Sequence, residues 1–121
     1  MKILVADGVS QKAIDILSPK FEVVEKPKLS HEELLDIIGD FEAVIVRSAS
    51  KVTKDVIDKA AKLKIIGRAG VGVDNIDVAA ATARGIIVIN SPGGNTIAAT
   101  EHTMAMMLAM SRNIPIANET M

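Results

Sequence analysis

Short apolar runs alternate with amphipathic segments along the first three quarters of the chain. The runs are rich in β-branched residues and have no polar face, which is typical of parallel strands buried on both sides of a sheet. The pattern predicts five strands, at residues 3–6, 23–24, 43–46, 64–66 and 86–89.

Polar residues and breakers mark the ends of the helices between these strands. Ser30 and Glu33 are spaced as a capping box, which predicts a helix from His31 to Ile38 that ends at Gly39. The remaining signals predict three more helices: one from Ser10 to Leu17, stopped by Pro19; one capped by Thr53 that turns Val56, Ile57, Ala60 and Ala61 inward; and one from Ile76 to Arg84, ended by Gly85.

Strand and helix alternate strictly, with short connections. Such a chain makes right-handed crossovers, because a parallel strand pair in one sheet is joined that way. The prediction is an α/β, flavodoxin-like, doubly wound five-stranded parallel sheet with strand order 2-1-3-4-5.

A long C-terminal helix is predicted from residue 95 or 96 toward residue 113. Residues 104–110 are Met, Ala or Leu and leave no polar face, so the helix must be buried on all sides. A final helix with adaptable methionine packing is one interpretation. We favour the other, in which the helix packs against a second domain or subunit.

Composition excludes several classes of function. The 121 residues carry 14 Lys and Arg against 15 Asp and Glu, so net charge predicts neither nucleic-acid nor membrane binding. With no cysteine and two histidines, we expect no metal site. No apolar stretch is long enough for a signal sequence or a membrane span, and we expect a cytoplasmic protein.

Polar residues follow the strands where each one ends. Asp7 and Gly8 follow the first strand, and residues 47–48, 68–72 and 90–96 follow the third, fourth and fifth. Because ligands of open α/β sheets bind at the carboxyl ends of the strands, the sequence predicts a site for a carboxylate or phosphate there. Each arginine taken singly could equally form a surface ion pair; two on one rim favour a site.

The segment from Gly70 to Asn75 partly matches the dinucleotide fingerprint G-x-G-x-x-G. Its third glycine is Asn75, and no acidic residue ends the next strand, where Asn90 stands. We therefore reject a complete dinucleotide site. A phosphorelay receiver is also excluded, since Asp7, Arg47 and Asn90 do not supply its acidic pair, acceptor Asp and Lys. A flavodoxin is excluded because residues 7–10 are not a Ser/Thr-rich phosphate loop.

Four linked motifs stand out along the chain: VRSASKVT at 46–53, IGRAGVGVDNID at 66–77, GIIVINSPGGNT at 85–96 and TEHT at 100–103. Together they resemble the D-isomer-specific 2-hydroxyacid dehydrogenases. The resemblance runs in order through essentially the whole chain.

The resemblance implies a substrate domain at residues 1–95 and an interdomain connecting helix at 96–121, with a separate NAD domain outside these residues. It implies a phosphorylated hydroxyacid as substrate, NAD as cofactor of the whole enzyme but not bound to this chain, and a homodimer through helix 96–113. It further implies substrate contacts from Arg47, Ser48, Arg68, Gly70, Val71, Gly72 and Asn95, and weak cofactor contacts from Val71 and Thr96.

No catalytic residue is expected in this chain. His102 follows Glu101, but neighbours on a helix point about 100° apart and cannot form a dyad, and His31 belongs to a capping box. The hydride-transfer residues of the family lie in its NAD domain. Two hypotheses stay open: an inactive N-terminal part of a dehydrogenase, or a self-sufficient anion-binding or protein-interaction module.

Overall fold

A computed structural model describes residues 1–91 together with Met104, Ala105 and Met107. Within this part, five parallel strands form one sheet in the order β2-β1-β3-β4-β5, which confirms the predicted topology. The strands are β1 Lys2–Val5, β2 Glu22–Glu25, β3 Ala43–Val46, β4 Ile65–Arg68 and β5 Ile87–Ile89.

The register of the sheet aligns one apolar row across four strands. Leu4 pairs with Val44, Val44 with Ile66, and Ile66 with Val88. This row belongs to the main core, whose helix residues include Leu34 and, further along the chain, Val56, Ile57 and Ala81. Burying these side chains is the main favourable contribution to folding.

Four short helices connect the strands: α1 Gln11–Leu17, α2 His31–Ile37, α3 Lys54–Lys59 and α4 Val78–Ala83. A 3₁₀ turn, Ile38–Asp40, extends α2. The predicted capping box is confirmed, because the N–H of Glu33 donates to Ser30 Oγ at 3.2 Å and the N–H of Ser30 donates to Glu33 Oε2 at 2.9 Å. Gly85, which follows α4, has a φ of 71° and takes the predicted left-handed turn.

Two helix predictions are wrong in detail. Thr53 makes no capping hydrogen bond, since its hydroxyl donates to the Asp55 carboxylate instead. Ala61 is exposed, because α3 ends at Lys59 and the helical periodicity stops before residue 61.

The fourth helix begins two residues later than predicted. Ile76 forms a parallel bridge with Val52, so it has extended pairing and is not the first helical residue. Asp77 caps α4, and its carboxylate accepts from the N–H of Ala80 at 2.9 Å.

The opposite face of the sheet becomes more exposed from β1 to β5. Val5, Ile45, Gly67 and Ile89 align across it. Val5 is buried and Ile45 is half-buried, whereas Ile89 is 53% exposed. The prediction that every strand is buried on both faces is therefore wrong for β5 within the described residues. Ala13 of α1 faces the same cavity as Ile45 and Ile89, so α1 lies on this side.

The predicted helix at 96–113 lies mostly outside the described residues. Met104, Ala105 and Met107 are helical, with Met104 and Met107 at 58% and 65% exposure. Every helix in the described part of the chain falls short of the length and hydrophobicity that a membrane span requires.

Candidate functional site

A cleft of about 670 Å³ opens at the carboxyl ends of β3, β4 and β5. Its lining combines apolar residues, among them Ala13, Ile45 and Ile89, with the polar residues Arg47, Arg68 and Asn90. Few polar groups beside an apolar wall are typical of small-molecule sites. The cleft therefore suits a small ligand that carries negative charge.

Arg47 and Arg68 are joined at this rim through the main chain. Arg68 Nε donates to the carbonyl of Arg47 at 3.2 Å, and Arg47 Nη1 donates to the carbonyl of Gly8 at 3.2 Å. The salt bridges within the described residues are formed by His31 and two lysines, and neither arginine takes part. Since a guanidinium has five N–H donors, most of them remain free for an anion.

Asp7 holds the loop that carries Arg47. The residue is 6% exposed, and its carboxylate accepts from the N–H of Arg47 at 2.6 Å, the N–H of Ser50 at 3.1 Å and the hydroxyl of Ser50 at 2.7 Å. Burial alone raises the pKa of Asp7, but these hydrogen bonds outweigh it and hold the pKa below its usual value. The carboxylate is therefore ionised at neutral pH.

Asn75 holds the same loop from a second position. Its Nδ2 donates to the carbonyl of Arg47 at 2.6 Å and to the carbonyl of Ser50 at 2.7 Å. Segment 47–50 thus has its first and last residues bonded to both Asp7 and Asn75.

The glycine loop packs against the end of β5. The N–H of Ser91 donates to the carbonyl of Gly70 at 2.9 Å, and Asn90 Nδ2 donates to the carbonyl of Val71 at 2.7 Å. The N–H of Gly70 donates to the carbonyl of Arg68, so this particular amide is already engaged. A Cβ on Gly70 would stand 2.5 Å from Arg68 Nη1, which explains why glycine suits this position.

The predicted site residues separate into three groups. Arg47, Arg68 and Gly70 line the cleft together. Ser48, Val71 and Gly72 are exposed on the neighbouring loops and are not part of its lining. Asn95 and Thr96 lie outside the described residues.

The described residues do not fit a dinucleotide. A pyrophosphate binds at a helix N-terminus that follows a glycine loop, but Asp77 occupies the N-terminus of α4 with its own carboxylate. In the same part of the chain, no three His, Asp or Glu side chains lie close enough together to hold a metal ion.

Comparison with known proteins identifies the family of the chain. The family described as D-isomer specific 2-hydroxyacid dehydrogenase, catalytic domain, matches residues 3–120. The chain belongs to this family. The D-3-phosphoglycerate dehydrogenase of Synechocystis sp. is 56% identical over 119 residues, which cover 98% of this chain and 22% of that protein. The chain thus spans about a fifth of the length of this relative.

Solved structures share the same fold. A Pyrococcus horikoshii OT3 protein has a TM-score of 0.86 at 33% identity, covering 98% of this chain and 35% of the other. The cofactor (NAD+) bound 3-phosphoglycerate dehydrogenase of Entamoeba histolytica has a TM-score of 0.80 at 37% identity, covering 90% of this chain and 38% of that one.

The supporting residues of the site were missed by sequence reasoning. Asp7 was placed on the rim as a polar residue after β1, but its role in holding Arg47 depends on contacts 40 and 43 residues away. The sequence drew attention to Asn75 only because it replaces the third glycine of the dinucleotide fingerprint. A short polar side chain directly after a buried strand was the one available signal for Asp7.

Proposed function

We propose that this chain is the N-terminal part of an NAD-dependent D-3-phosphoglycerate dehydrogenase, which oxidises 3-phosphoglycerate to 3-phosphohydroxypyruvate in serine biosynthesis. The observation that carries the proposal is that Arg47 and Arg68 line one cleft without a carboxylate partner in the described residues. The similarity to the Synechocystis protein supports the choice of a phosphorylated hydroxyacid.

The residues of this chain bind and orient the substrate. Arg47 contacts the phosphate or carboxylate through its free guanidinium N–H groups, and Arg68 contributes from the next strand. The loop of Gly70, Val71 and Gly72 meets the carboxylate, where any contact from Val71 comes from its backbone. Ser48 and Asn95 complete the substrate contacts.

Hydride transfer belongs outside these residues. NAD, when bound to the whole enzyme, accepts the hydride, and Val71 and Thr96 make at most weak contacts to it. We assign no general base to this chain, so the 121 residues fold but do not turn over. In this proposal residues 1–95 are the substrate domain and 96–121 connect to the NAD domain. The enzyme is cytoplasmic, and two copies pair through the 96–113 helix.

The binding step is tested by titrating the ¹⁵N-labelled chain with D-3-phosphoglycerate and following backbone amide shifts. We expect the shifts to cluster at residues 47, 68 and 70–72. Arg47→Ala should weaken binding at least about tenfold, because it removes charge-assisted hydrogen bonds. Lys51→Ala is the matched control, since Lys51 is an exposed cation of the same loop that does not line this cleft.

The catalytic role is tested in a chimera that joins residues 1–121 to the remainder of the Synechocystis enzyme. The chimera should reduce NAD with 3-phosphoglycerate, whereas the 121 residues alone should form no NADH. Absence of amide shifts together with an inactive chimera would instead support a self-sufficient interaction module.

A further inference from the structure

Segment 47–50 is held by two side chains, each of which bonds to both its first and its last residue. The Asp7 carboxylate accepts hydrogen bonds from the main-chain N–H groups of Arg47 and Ser50. The side chain of Asn75 donates to the main-chain carbonyls of the same two residues. The same two residues are thus fixed through both their N–H and their carbonyl groups. We name this arrangement, Asp7 with Asn75 around segment 47–50, the clamp.

We propose that Asp7 and Asn75 are positioning residues, whose clamp aims the Arg47 guanidinium into the anion cleft. The inference rests on the proposed function, because it specifies how that site is assembled. Neither side chain lines the cleft, so both act on the ligand through Arg47.

Asp7 is an unusual residue to place behind an anion site. A carboxylate close to the cleft lowers the affinity for an anion by Coulomb repulsion. It is retained in a buried position, where it accepts three hydrogen bonds from the Arg47 and Ser50 positions. Charge-assisted hydrogen bonds are about twice as strong as neutral ones, so the ionised group gives the most rigid clamp.

The side chain of Asn75 also supports a positioning role, because it holds segment 47–50 at a cost in folding free energy. Its Nδ2 faces two carbonyl oxygens, which fixes the orientation of the amide, because the reversed amide would set oxygen against oxygen. The other amide atom, Oδ1, is then buried without a partner in the described part of the chain. An unsatisfied buried acceptor is unfavourable for folding. The two bonds to segment 47–50 offset that penalty.

Asp7→Asn separates positioning from electrostatics by the sign of its effect. Asparagine keeps the shape and can still accept from the N–H groups and donate to Ser50 Oγ, but it has no charge. If Asp7 acted on the ligand only through its charge, this variant would bind 3-phosphoglycerate more tightly. The clamp predicts weaker binding, by about three- to tenfold.

Asp74→Asn is the matched control. Asp74 is exposed on the glycine loop of the same rim and makes no hydrogen bond to segment 47–50 among the described residues. Removing its charge should leave the dissociation constant unchanged or tighten it. Asn75→Leu supplies the second variant, because it has a similar size, adds no charge and cannot donate to the two carbonyls; we expect it to bind at least about tenfold more weakly.

Amide hydrogen exchange provides a measurement that needs no ligand. In Asp7→Ala the N–H groups of Arg47 and Ser50 lose their acceptor and should exchange at least about tenfold faster, since local opening then costs less. The N–H of Ala6, which bonds to the carbonyl of Ile45 at 3.0 Å, should be unaffected. Equal acceleration at Ala6 would indicate global destabilisation. In that case the affinity of Asp7→Asn for 3-phosphoglycerate, compared with that of Asp74→Asn, decides the proposal.

The outcomes distinguish the clamp from the proposed function. If the wild-type chain binds 3-phosphoglycerate, Arg47→Ala does not, and Asp7→Asn binds as tightly as Asp74→Asn, the clamp is wrong and the function stands. If no variant binds the ligand, the function is wrong, and exchange at Arg47 and Ser50 decides the clamp alone. Unchanged exchange of both amides in Asp7→Ala overturns it.

Discussion

Arg68 Nε donates a hydrogen bond to the main-chain carbonyl of Arg47, across 3.2 Å. The two residues come from neighbouring strands, because Arg68 pairs with Val46 in the sheet register and Arg47 follows Val46 directly. One guanidinium thus secures the backbone of the other. The terminal nitrogens of Arg68 have no carboxylate partner in the described residues and can bind a ligand.

Arg68→Lys should therefore behave as a loss of function in ligand binding. A lysine has a single ammonium group, which cannot bond to the Arg47 carbonyl and to the ligand with the fork geometry of arginine. We expect binding of 3-phosphoglycerate to weaken by about 1–2 kcal/mol, measured by the same amide titration. Wild-type affinity in Arg68→Lys would show that only the charge at residue 68 matters.

Gly70→Ala should impair the site more than the fold. The new Cβ would meet Arg68 Nη1 at 2.5 Å, and the guanidinium, as the flexible end of a side chain, can move away. We expect weaker ligand binding and a free energy of unfolding within about 0.5 kcal/mol of wild type. Gly8→Ala is the control, since a Cβ there has nothing within 4 Å. Equal affinity in both variants would contradict the expectation.

The pH dependence of stability should reflect Asp7. Because its folded-state pKa is below the usual value, the ionised carboxylate stabilises the fold at pH values above that usual value. This contribution is lost as the pH falls through the folded-state pKa. We expect the difference in unfolding free energy between wild type and Asp7→Asn to shrink as the pH is lowered from about 7 to about 3.

The difference in unfolding free energy between wild type and Asp7→Asn reports the titration of Asp7 alone. The pKa of Asp55 is lowered to about 2, chiefly by the Thr53 hydroxyl and then by His31, and Glu42 is also shifted downward, chiefly by Lys64. Both groups are present in wild type and variant alike, so their titration cancels. Urea unfolding at each pH is the measurement, and a difference independent of pH would rule out the shift.

Gly85→Ala should destabilise the fold locally. Gly85 has a φ of 71°, and an L side chain in that conformation costs about 1–2 kcal/mol. Space is not the limiting factor, because a Cβ there has no neighbour within 4 Å. Chemical denaturation should show the loss, and Gly8→Ala, at a glycine without positive φ, should not.

Ser30→Ala and Thr53→Ala form a matched pair at two helix starts. Ser30 accepts the N–H of Glu33, whereas Thr53 makes no capping bond. We expect Ser30→Ala to lower the unfolding free energy by about 1 kcal/mol and Thr53→Ala to lower it by less. The reverse order in thermal unfolding would contradict the assigned caps.

Local signals were sufficient for the fold. The capping box at Ser30 and the positive φ at Gly85 are decided by nearby residues, and the apolar runs predicted the strands because both sheet faces need such residues near β1 and β3. The start of α4 was missed because Ile76 pairs with Val52, which lies 24 positions earlier. No periodicity within a short window reports such a bridge.

The location of the candidate site could be predicted from the sequence, but its hydrogen bonds could not. The carboxyl ends of parallel strands meet on one edge, so Arg47, Arg68 and Gly70 could be expected together, and they line one cleft. The hydrogen bonds within the site could not be predicted in the same way. The Gly70 N–H donates to the Arg68 carbonyl, and the Asp7 carboxylate accepts from the main-chain N–H of Arg47. Both bonds depend on the folded geometry.

The contact of Asp7 with main-chain atoms of Arg47 has an evolutionary consequence. Because the anchor grips the peptide and not the guanidinium, it would hold a lysine, glutamine or histidine at position 47 equally well. Preference for one organic acid over another can then change by a single codon without rebuilding the scaffold. The ligand chemistry of the cleft can thus change at position 47 while the architecture around it stays the same.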